Sequence, residues 1–158
     1  MRILTINDKK DNKFLRKKVS SFNFDSTNRG ELHKLVGDMK KTMQSADGVG
    51  LAANQIGISS SFFVAEFDRK FYAIFNPEII KKSEEEDVME EGCLSIPGGS
   101  GKIKRASEIT IKGYDKNGKR VKMRAWGNLA RIFQHEVDHL SGKLFIDYVK
   151  ERQITKFK

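Results

Sequence analysis

The stretch Gln134-His135-Glu136-Val137-Asp138-His139 places two histidines four residues apart, close to the end of a 158-residue chain. Residues four apart on a helix lie one turn apart on the same face, so both imidazoles can bind a single metal ion. Glu136 stands next to the first histidine, where a carboxylate can act as general base on a water at that ion. The same pattern also arises by chance on charged helices, so the surrounding sequence has to decide between the two interpretations.

The residues around this motif predict a helix from about Leu129 to Leu140. Asn128 is suited to cap its N-terminus, and Gly142 is suited to end it. The apolar residues fall on a side different from that of the histidines: Phe133, Val137 and Leu140. We therefore expect this helix to pack on a sheet through its apolar side.

Upstream, the hydrophobic pattern predicts a second helix and two β-hairpins. Asn28 followed by Glu31 resembles a capping box, and apolar residues then recur at helical spacing from about Arg29 to Gln44. The predicted hairpins pair Phe62 to Phe67 with Phe71 to Phe75 across Asp68-Arg69-Lys70, and Ile109 to Tyr114 with Val121 to Ala125 across Asn117-Gly118. The segment up to about Ser26 is predicted to be irregular. Together these elements indicate an α+β fold, with antiparallel or mixed sheets packed around a central C-terminal helix that carries the HExxH motif.

Composition limits the function classes without choosing one. Charged residues make up 32% and apolar residues 38% of the chain, as in one globular domain, which we expect to span residues 1–158. Residues 1–6 are too short an apolar run for a signal peptide, and no run is long enough for a membrane helix, so we expect a cytoplasmic protein. The net charge of +9 is compatible with an RNA-rich partner, but the charges are spread along the chain and favour a plain basic surface.

A hydrolytic metal site of this kind needs a third protein ligand and one open coordination position. In one common protease pattern that ligand is a histidine downstream of the motif, and here Phe145 occupies the corresponding position. Asp147 and Glu151 are then the acidic candidates in the C-terminal segment. Upstream, the single cysteine of the chain, Cys93, follows Gly92. An isolated cysteine is more often a packing residue, but beside a histidine pair that lacks a ligand we interpret Cys93 as that ligand.

Three segments, in order along the chain, resemble the signature motifs of the peptide deformylase family. They are Gly48-Val49-Gly50-Leu51-Ala52-Ala53-Asn54-Gln55, Glu91-Gly92-Cys93-Leu94-Ser95 and Gln134-His135-Glu136-Val137-Asp138-His139-Leu140. Asn76-Pro77-Glu78-Ile79 and the length also suit this family, and the resemblance extends to about Tyr148. It implies a metal-dependent hydrolase that removes the formyl group from the N-terminal formylmethionine of nascent polypeptides and releases formate.

Carried over to the matching positions, the resemblance implies a catalytic role for each motif. The implied metal ligands are Cys93, His135 and His139. Glu136 would take a proton from the metal-activated water and later donate one to the leaving amine. The side-chain amide of Gln55 and the backbone N–H of Leu94 would stabilise the oxyanion together with the metal ion.

The resemblance also implies a substrate site formed by Gly48, Val49, Gly50, Met89, Glu91, Gly92 and Ile132. The members that align with the family's apolar pocket for the methionine side chain are Val49, Met89 and Ile132. Gly48 and Gly50 would allow an extended substrate backbone to pair along a strand edge. Judged by residue type alone, Gly48 equally fits a turn after a helix, and Val49, Met89 and Ile132 equally fit a core.

For cofactor and partners, the resemblance implies one divalent metal ion, with Fe2+ as the physiological ion and Zn2+, Ni2+ or Co2+ in purified samples. A thiolate with two imidazoles suits iron and zinc alike, so the ligand types do not choose between them. The implied partners are N-formylmethionyl peptides and nascent chains, with a transient contact to the ribosome. We expect a monomer with no specific nucleic-acid partner and no membrane partner.

The sequence departs from the family pattern at several positions near the site. Gly98-Gly99-Ser100-Gly101 stands where many relatives carry bulkier or charged residues. Asn128 and Arg131 stand where some relatives present apolar residues on the motif helix. Two other functions stay open: a metal-dependent peptidase with a downstream carboxylate ligand, and a nucleic-acid-binding module that depends on the net charge of +9.

Overall fold

Three α-helices and eight β-strands form the part of the chain that the computed structural model describes, residues 1–149 and 155–156. The helices are α1 (Lys9–Leu15), α2 (Arg29–Ser45) and α3 (Gly127–Leu140). The strands are β1 (Gly50–Ala52), β2 (Phe62–Phe67), β3 (Lys70–Lys82), β4 (Glu86–Cys93), β5 (Ile96–Ala106), β6 (Glu108–Tyr114), β7 (Arg120–Trp126) and β8 (Thr155–Lys156). Two short 3₁₀ helices span Ala53–Ile56 and Phe145–Tyr148.

The strands form two antiparallel sheets, which confirms the predicted α+β class. The larger sheet has the order β1-β2-β3-β6-β7, and the smaller sheet has the order β4-β5-β8. Every pair of neighbouring strands in these sheets is antiparallel. Within the described residues, no helix is both long enough and apolar enough to cross a membrane.

The five-stranded sheet lies between α2 and α3. Phe62 and Val64 of β2 pack with α2, whereas Phe63 and Ala65 pack with α3. Successive strand residues point to opposite faces, so a strand covered on both sides needs the uninterrupted apolar run seen in β2. The core residues of α2 are Leu32, Val36, Met39 and Met43, and those of α3 are Ala130, Phe133 and Leu140. The predicted packing of the motif helix on a sheet is confirmed.

Both predicted hairpins are present, and one has a shorter turn than expected. Asp68 and Arg69 alone join β2 to β3, and their φ angles of 49° and 61° are both positive, as a two-residue hairpin turn requires. Lys70, predicted to belong to the turn, instead pairs with Phe67. The second hairpin is formed by β6 and β7, and Gly118 in its connection has a φ of 78°.

The N-terminal segment contains α1, and its predicted irregularity is wrong. The side chain of Asp8 caps this helix by accepting hydrogen bonds from the N–H groups of Lys10 and Asp11. Of the seven helical residues, Asp11 and Leu15 are the buried ones. A helix of two turns with one buried apolar residue shows no hydrophobic period, so the capping aspartate was the available signal.

The two predicted helices are confirmed, and one of the predicted caps is not. Before α2, the Asn28 side chain accepts hydrogen bonds from two backbone N–H groups of the first turn. α3 begins at Gly127 rather than Leu129, and Trp126 precedes it without a side-chain cap. Asn128 therefore lies inside the first turn of α3, and its predicted role as the cap is wrong.

The smaller sheet was not predicted, although it carries Cys93. β4 is rich in acidic residues and β5 contains the glycine-rich residues 98–101, and both residue classes are depleted in strands. β4 and β5 nevertheless pair along most of their length, and Cys93 pairs with Ile96 across a two-residue turn formed by Leu94 and Ser95. This hairpin presents the only thiol at the end of a strand, next to α3.

Candidate metal centre and substrate cavity

Three potential ligand atoms converge where the β4–β5 turn meets α3. Cys93 Sγ lies 3.2 Å from His139 Nε2, which lies 3.2 Å from His135 Nε2. All three atoms are within 4.8 Å of one another. Ligands that each bind one ion at about 2.0–2.3 Å have separations of this size. The donor set therefore fits one divalent ion, and the sequence-predicted ligands are brought together.

Within residues 1–149, no downstream carboxylate of the kind that the peptidase hypothesis requires joins this centre. Asp147 forms an ion pair with Arg16 at 2.5 Å and accepts a hydrogen bond from the backbone N–H of Leu144. Phe145 is buried in the core of the smaller sheet. Glu151 lies outside the described residues. Among residues 1–149, the ligand group at this centre is Cys93 with two histidines.

A buried carboxylate, that of Glu91, orients His135. His135 Nδ1 lies 3.0 Å from Glu91 Oε2, so the ring donates its Nδ1 proton and keeps the Nε2 lone pair for an ion. Arg105 donates from Nε and Nη2 to the two carboxylate oxygens at 2.5 and 2.9 Å, and Arg131 donates from Nη1 at 2.6 Å. Burial alone would raise the pKa of Glu91, but the hydrogen bonds from His135 and Arg105 lower it to about 2. The side chain therefore remains ionised.

Glu136 is the buried acid–base candidate. This residue is 3% exposed, and its Oε2 has no hydrogen-bond partner in the described part of the chain. Burial raises the pKa of the carboxyl to about 7, and a general base works best when its pKa lies near the operating pH. A Cβ on Gly50 would collide with Glu136 Oε1 and lie 2.7 Å from Glu136 Cδ. Glycine at position 50 therefore allows the Glu136 carboxylate to occupy its present position, and any larger residue would displace it.

Gln55 is held in the 3₁₀ helix Ala53–Ile56 with its amide directed at the β4–β5 turn. Its Oε1 accepts a hydrogen bond from the Ala52 N–H at 2.8 Å. Its Nε2 donates to Ser95 Oγ at 3.0 Å and lies 3.6 Å from Cys93 Sγ. Because the amide oxygen and nitrogen have different partners, the N–H groups face the side of the metal ligands.

A cavity of about 480 Å³ opens beside these groups. Six predicted substrate residues line it: Gly48, Val49, Gly50, Glu91, Gly92 and Ile132. The lining also includes Gln55, Cys93, Leu94, His135 and Glu136. The remaining lining residues are Asp47, Phe67, Glu90, Asn128 and Arg131. The structure thus places a space of ligand size against the predicted catalytic groups.

Met89 is not brought into this cavity. It lies in β4, pairs with Ile103 of β5, and is not among the residues that line the cavity. It stands two residues before Glu91 along the strand, farther from the turn that carries Cys93. The structure therefore does not support the predicted contact between Met89 and a substrate methionine. Phe67, which the sequence did not suggest, supplies an apolar part of the lining instead.

The role of the two arginines that bind Glu91 was not predicted from the sequence. Arg131 lies four residues before His135 on α3, a spacing that places both on one helix face. Arg105 lies two residues after Ile103, so strand alternation puts both on the buried face of β5, away from their exposed lysine neighbours. The spacing of Arg131 and His135 could be recognised in the sequence. The alternation of Ile103 and Arg105 can be recognised only once β5 is known to be a strand.

Comparison with known proteins agrees with these observations. The family model described as polypeptide deformylase matches residues 1–154. A peptide deformylase from Halothermothrix orenii is 52% identical over 117 residues, which cover 73% of this chain and 75% of the relative. A peptide deformylase from Thermodesulfovibrio yellowstonii is 42% identical over 149 residues, which cover 91% of this chain and 88% of the relative.

Solved structures give the same result. The crystal structure of a peptide deformylase from Thermotoga maritima matches with a TM-score of 0.85 at 40% identity, over 94% of this chain and 97% of that chain. A peptide deformylase from Synechococcus elongatus, in complex with actinonin, matches with a TM-score of 0.85 at 34% identity, over 95% of this chain and 79% of that chain. Since the family model and the solved structures cover nearly the whole chain, it belongs to the polypeptide deformylase family.

Proposed function

We propose that this cavity is where the chain, as a member of the polypeptide deformylase family, removes the formyl group from the N-terminal formylmethionine of nascent polypeptides. The reaction uses water to break the formyl C–N bond and yields formate and a free N-terminal amine. The observation that carries the proposal is the convergence of Cys93, His135 and His139 beside the buried Glu136. The family match over residues 1–154 supports the choice of reaction.

Cys93, His135 and His139 would hold one divalent ion, Fe2+ in the cell and Zn2+, Ni2+ or Co2+ in purified protein. A divalent ion bound there would lower the pKa of a coordinated water to about 7 and polarise the formyl oxygen. Glu91 holds the His135 ring in the tautomer that presents Nε2 to the ion. A thiolate ligand and a ferrous ion also predict that the iron form is sensitive to air.

Glu136 would move the protons of the reaction. Its carboxylate takes a proton from the attacking water, and the resulting acid returns that proton to the amine nitrogen as the C–N bond breaks. Burial disfavours the charged form of Glu136 and raises its pKa, which makes the carboxylate a stronger base for the first transfer. Gly50 supports this role because its missing side chain leaves room for the carboxylate.

Gln55 and Leu94 would stabilise the developing oxyanion. Gln55 Nε2 is fixed by Ser95 and lies 3.6 Å from Cys93 Sγ, so its N–H groups are next to the ligand set. Leu94 directly follows Cys93 in the β4–β5 turn, and it lines the cavity. Donors that are fixed before the reaction stabilise new charge without having to reorganise.

An extended peptide would bind along β1. This strand ends the order of the larger sheet, so within the described residues one of its edges has no partner strand. Gly48 and Gly50 present backbone without side chains at the cavity, which suits strand addition. The methionine side chain would contact the apolar part of the lining, Val49, Phe67 and Ile132.

The remaining proposals concern the protein as a whole. We place the activity in a single catalytic domain of residues 1–158 that works as a cytoplasmic monomer, without a specific nucleic-acid or membrane partner. The net charge of +9 supports a transient contact with the ribosome, whose RNA is anionic. Analytical ultracentrifugation checks the monomer, and cosedimentation with ribosomes at several salt concentrations checks the contact.

Formate release from formyl-Met-Ala-Ser by anaerobic, iron-loaded protein tests the reaction. We expect turnover by the wild type and almost none by Glu136→Ala at equal metal content. Equal rates for the two proteins would refute the role of Glu136, and no formate from a fully loaded wild type would refute the reaction. In air, the iron-loaded protein should lose activity while the nickel-loaded protein keeps it, because Ni2+ is not oxidised under these conditions.

A further inference from the structure

Arg131 is a buried cation that joins the motif helix to the smaller sheet. It is 7% exposed and lies on α3, four residues before His135. Its Nη1 donates to Glu91 Oε1 at 2.6 Å and to the Ile103 carbonyl at 2.9 Å. Its Nη2 donates to the Asp87 carbonyl at 2.7 Å. One guanidinium on α3 therefore binds three acceptors on β4 and β5.

These contacts matter because the ligand atoms come from two layers of the fold. His135 and His139 lie on α3, whose apolar side packs on the five-stranded sheet. Cys93 lies at the end of β4, in the three-stranded sheet. The distance from the thiol to the imidazoles therefore depends on how the β4–β5 hairpin packs on α3, and Arg131 spans that junction.

We propose that Arg131 is a positioning residue of the metal centre, which holds the β4–β5 hairpin against α3 so that the Cys93 thiolate meets the two imidazoles at ligand spacing. The inference rests on the proposed function, since it takes Cys93, His135 and His139 as the ligands. Arg131 acts through Glu91 and two strand carbonyls, and none of these hydrogen bonds goes to a ligand.

The positions of the acceptors call for an arginine. A planar guanidinium presents several N–H groups in fixed directions, whereas a lysine ammonium is a compact point charge. An apolar residue would leave the Ile103 carbonyl buried without this donor, which is costly, and would remove the donor of the part-buried Asp87 carbonyl. Arg105 cannot replace these contacts, because its own donors are used by Glu91 and Asp138.

Cobalt-loaded protein gives a readout that is independent of turnover, since the visible bands of Co2+ report the ligand geometry and a thiolate ligand adds a charge-transfer band. The variants are Arg131→Met and Arg131→Lys, with Arg124→Met as the control that removes an exposed arginine paired with Glu108. We expect Arg131→Met to bind the ion about 10–100-fold more weakly in competition with a chelator, and to show altered cobalt bands. The ion affinity of Arg131→Lys should lie between those of Arg131→Met and the wild type. Arg124→Met should match the wild type in affinity and in cobalt bands.

Circular dichroism establishes a temperature at which the variants are folded, and affinities are compared there. A folded Arg131→Met with wild-type affinity and wild-type cobalt bands would overturn the positioning role. A lower unfolding temperature with unchanged bands would do the same, because it indicates a purely stabilising contact. If Arg131→Met does not fold, the ion affinity and the cobalt bands of Arg131→Lys decide in its place.

The wild-type cobalt spectrum separates failure of this inference from failure of the proposed function. A thiolate charge-transfer band in the wild type, lost in Cys93→Ala, would support the ligand set on which the inference depends. With that band present, unchanged Arg131 variants refute the positioning role alone. Without it, Cys93 is not a ligand, and the proposed metal site and the role of Arg131 both fail.

Discussion

Two sets of arginine–glutamate contacts in this molecule have the same chemistry and different surroundings. In the buried set, Arg105 and Arg131 bind Glu91, and the three side chains are 5–8% exposed. In the outer set, Arg124 pairs with Glu108 across β7 and β6, with side chains 69% and 39% exposed. Water screens the outer pair, which is worth about 0–1 kcal/mol. Losing a member of the buried set costs more, because the remaining desolvated charges keep fewer partners, and Glu91 is the carboxylate that both arginines share. Charge fixes structure beside the proposed metal ligands, and on the outer sheet it mainly keeps the surface polar.

The largest contrast between these regions is expected for Glu136, the proposed acid–base group. Glu136→Gln keeps the side-chain volume but removes the base, and we expect kcat to fall by about 10²–10⁴-fold. Glu108→Gln, the matched change on the outer sheet, should leave kcat unchanged. Formate release by preparations of equal metal content measures both. A Glu136→Gln variant with the wild-type kcat would show that Glu136 matters no more for the reaction than the exposed Glu108.

The next contrast concerns stability. Glu91→Gln would leave Arg105 and Arg131 buried without their shared anion, and we expect the free energy of unfolding to fall by about 3–5 kcal/mol. Glu108→Gln should lower it by about 0–1 kcal/mol. Urea denaturation of the metal-free proteins measures both values without a contribution from ion binding. A loss below 1 kcal/mol for Glu91→Gln would mean that the buried set behaves like the exposed one.

A smaller effect is expected from adding one carbon next to the buried carboxylate. The new Cβ in Gly50→Ala would overlap Glu136, which has to move, and a displacement of about 1 Å can lower kcat by about 10²-fold. Thermal unfolding, compared with that of the wild type, shows whether the fold is kept. A Gly50→Ala protein that is folded and fully active would show that Glu136 has more freedom than its surroundings indicate.

The smallest effect is the matched glycine substitution on the outside. Gly37 lies within α2, and a Cβ added there would meet no atom within 4 Å. Because glycine costs conformational entropy in a helix, we expect Gly37→Ala to raise the free energy of unfolding by about 0.5–1 kcal/mol and to leave kcat unchanged. Denaturant titration measures the free energy of unfolding, and formate release measures kcat. Destabilisation by Gly37→Ala would contradict the open surroundings of this position.

The part of the site on α3 could be predicted from local spacing. The relation between His135 and His139 depends only on the helix that carries them, so four residues of separation were sufficient. The hairpins of the larger sheet were also predictable, because apolar alternation coincides with turn residues. β4 lacks such a signal, since Glu91, a buried member of that strand, is charged. Cys93 was therefore identified from the missing third ligand of the histidine pair and from the family resemblance, and not through a predicted strand.

Other features depend on contacts between distant segments. Arg131 could be placed on the motif helix from its number, but its acceptors on β4 and β5 are apparent only in the folded chain. Met89 shows the reverse case: it aligned with an apolar pocket, and the structure places it outside the cavity lining. Asn128 has a typical capping side chain, yet α3 starts at Gly127, two residues earlier than predicted. In each case tertiary packing determined the outcome.

The two-layer origin of the ligand set has a consequence for the maturation of the protein. Cys93 and His139 are 46 positions apart, and contacts over such separations form late because the intervening chain must first be closed into a loop. α3 is also the last of the three helices in the described chain, so its histidines are synthesised well after the thiol. In a newly made molecule the proposed ligand set is therefore complete only after α3 has packed against the β4–β5 hairpin, and until then the thiol lacks the imidazoles of His135 and His139.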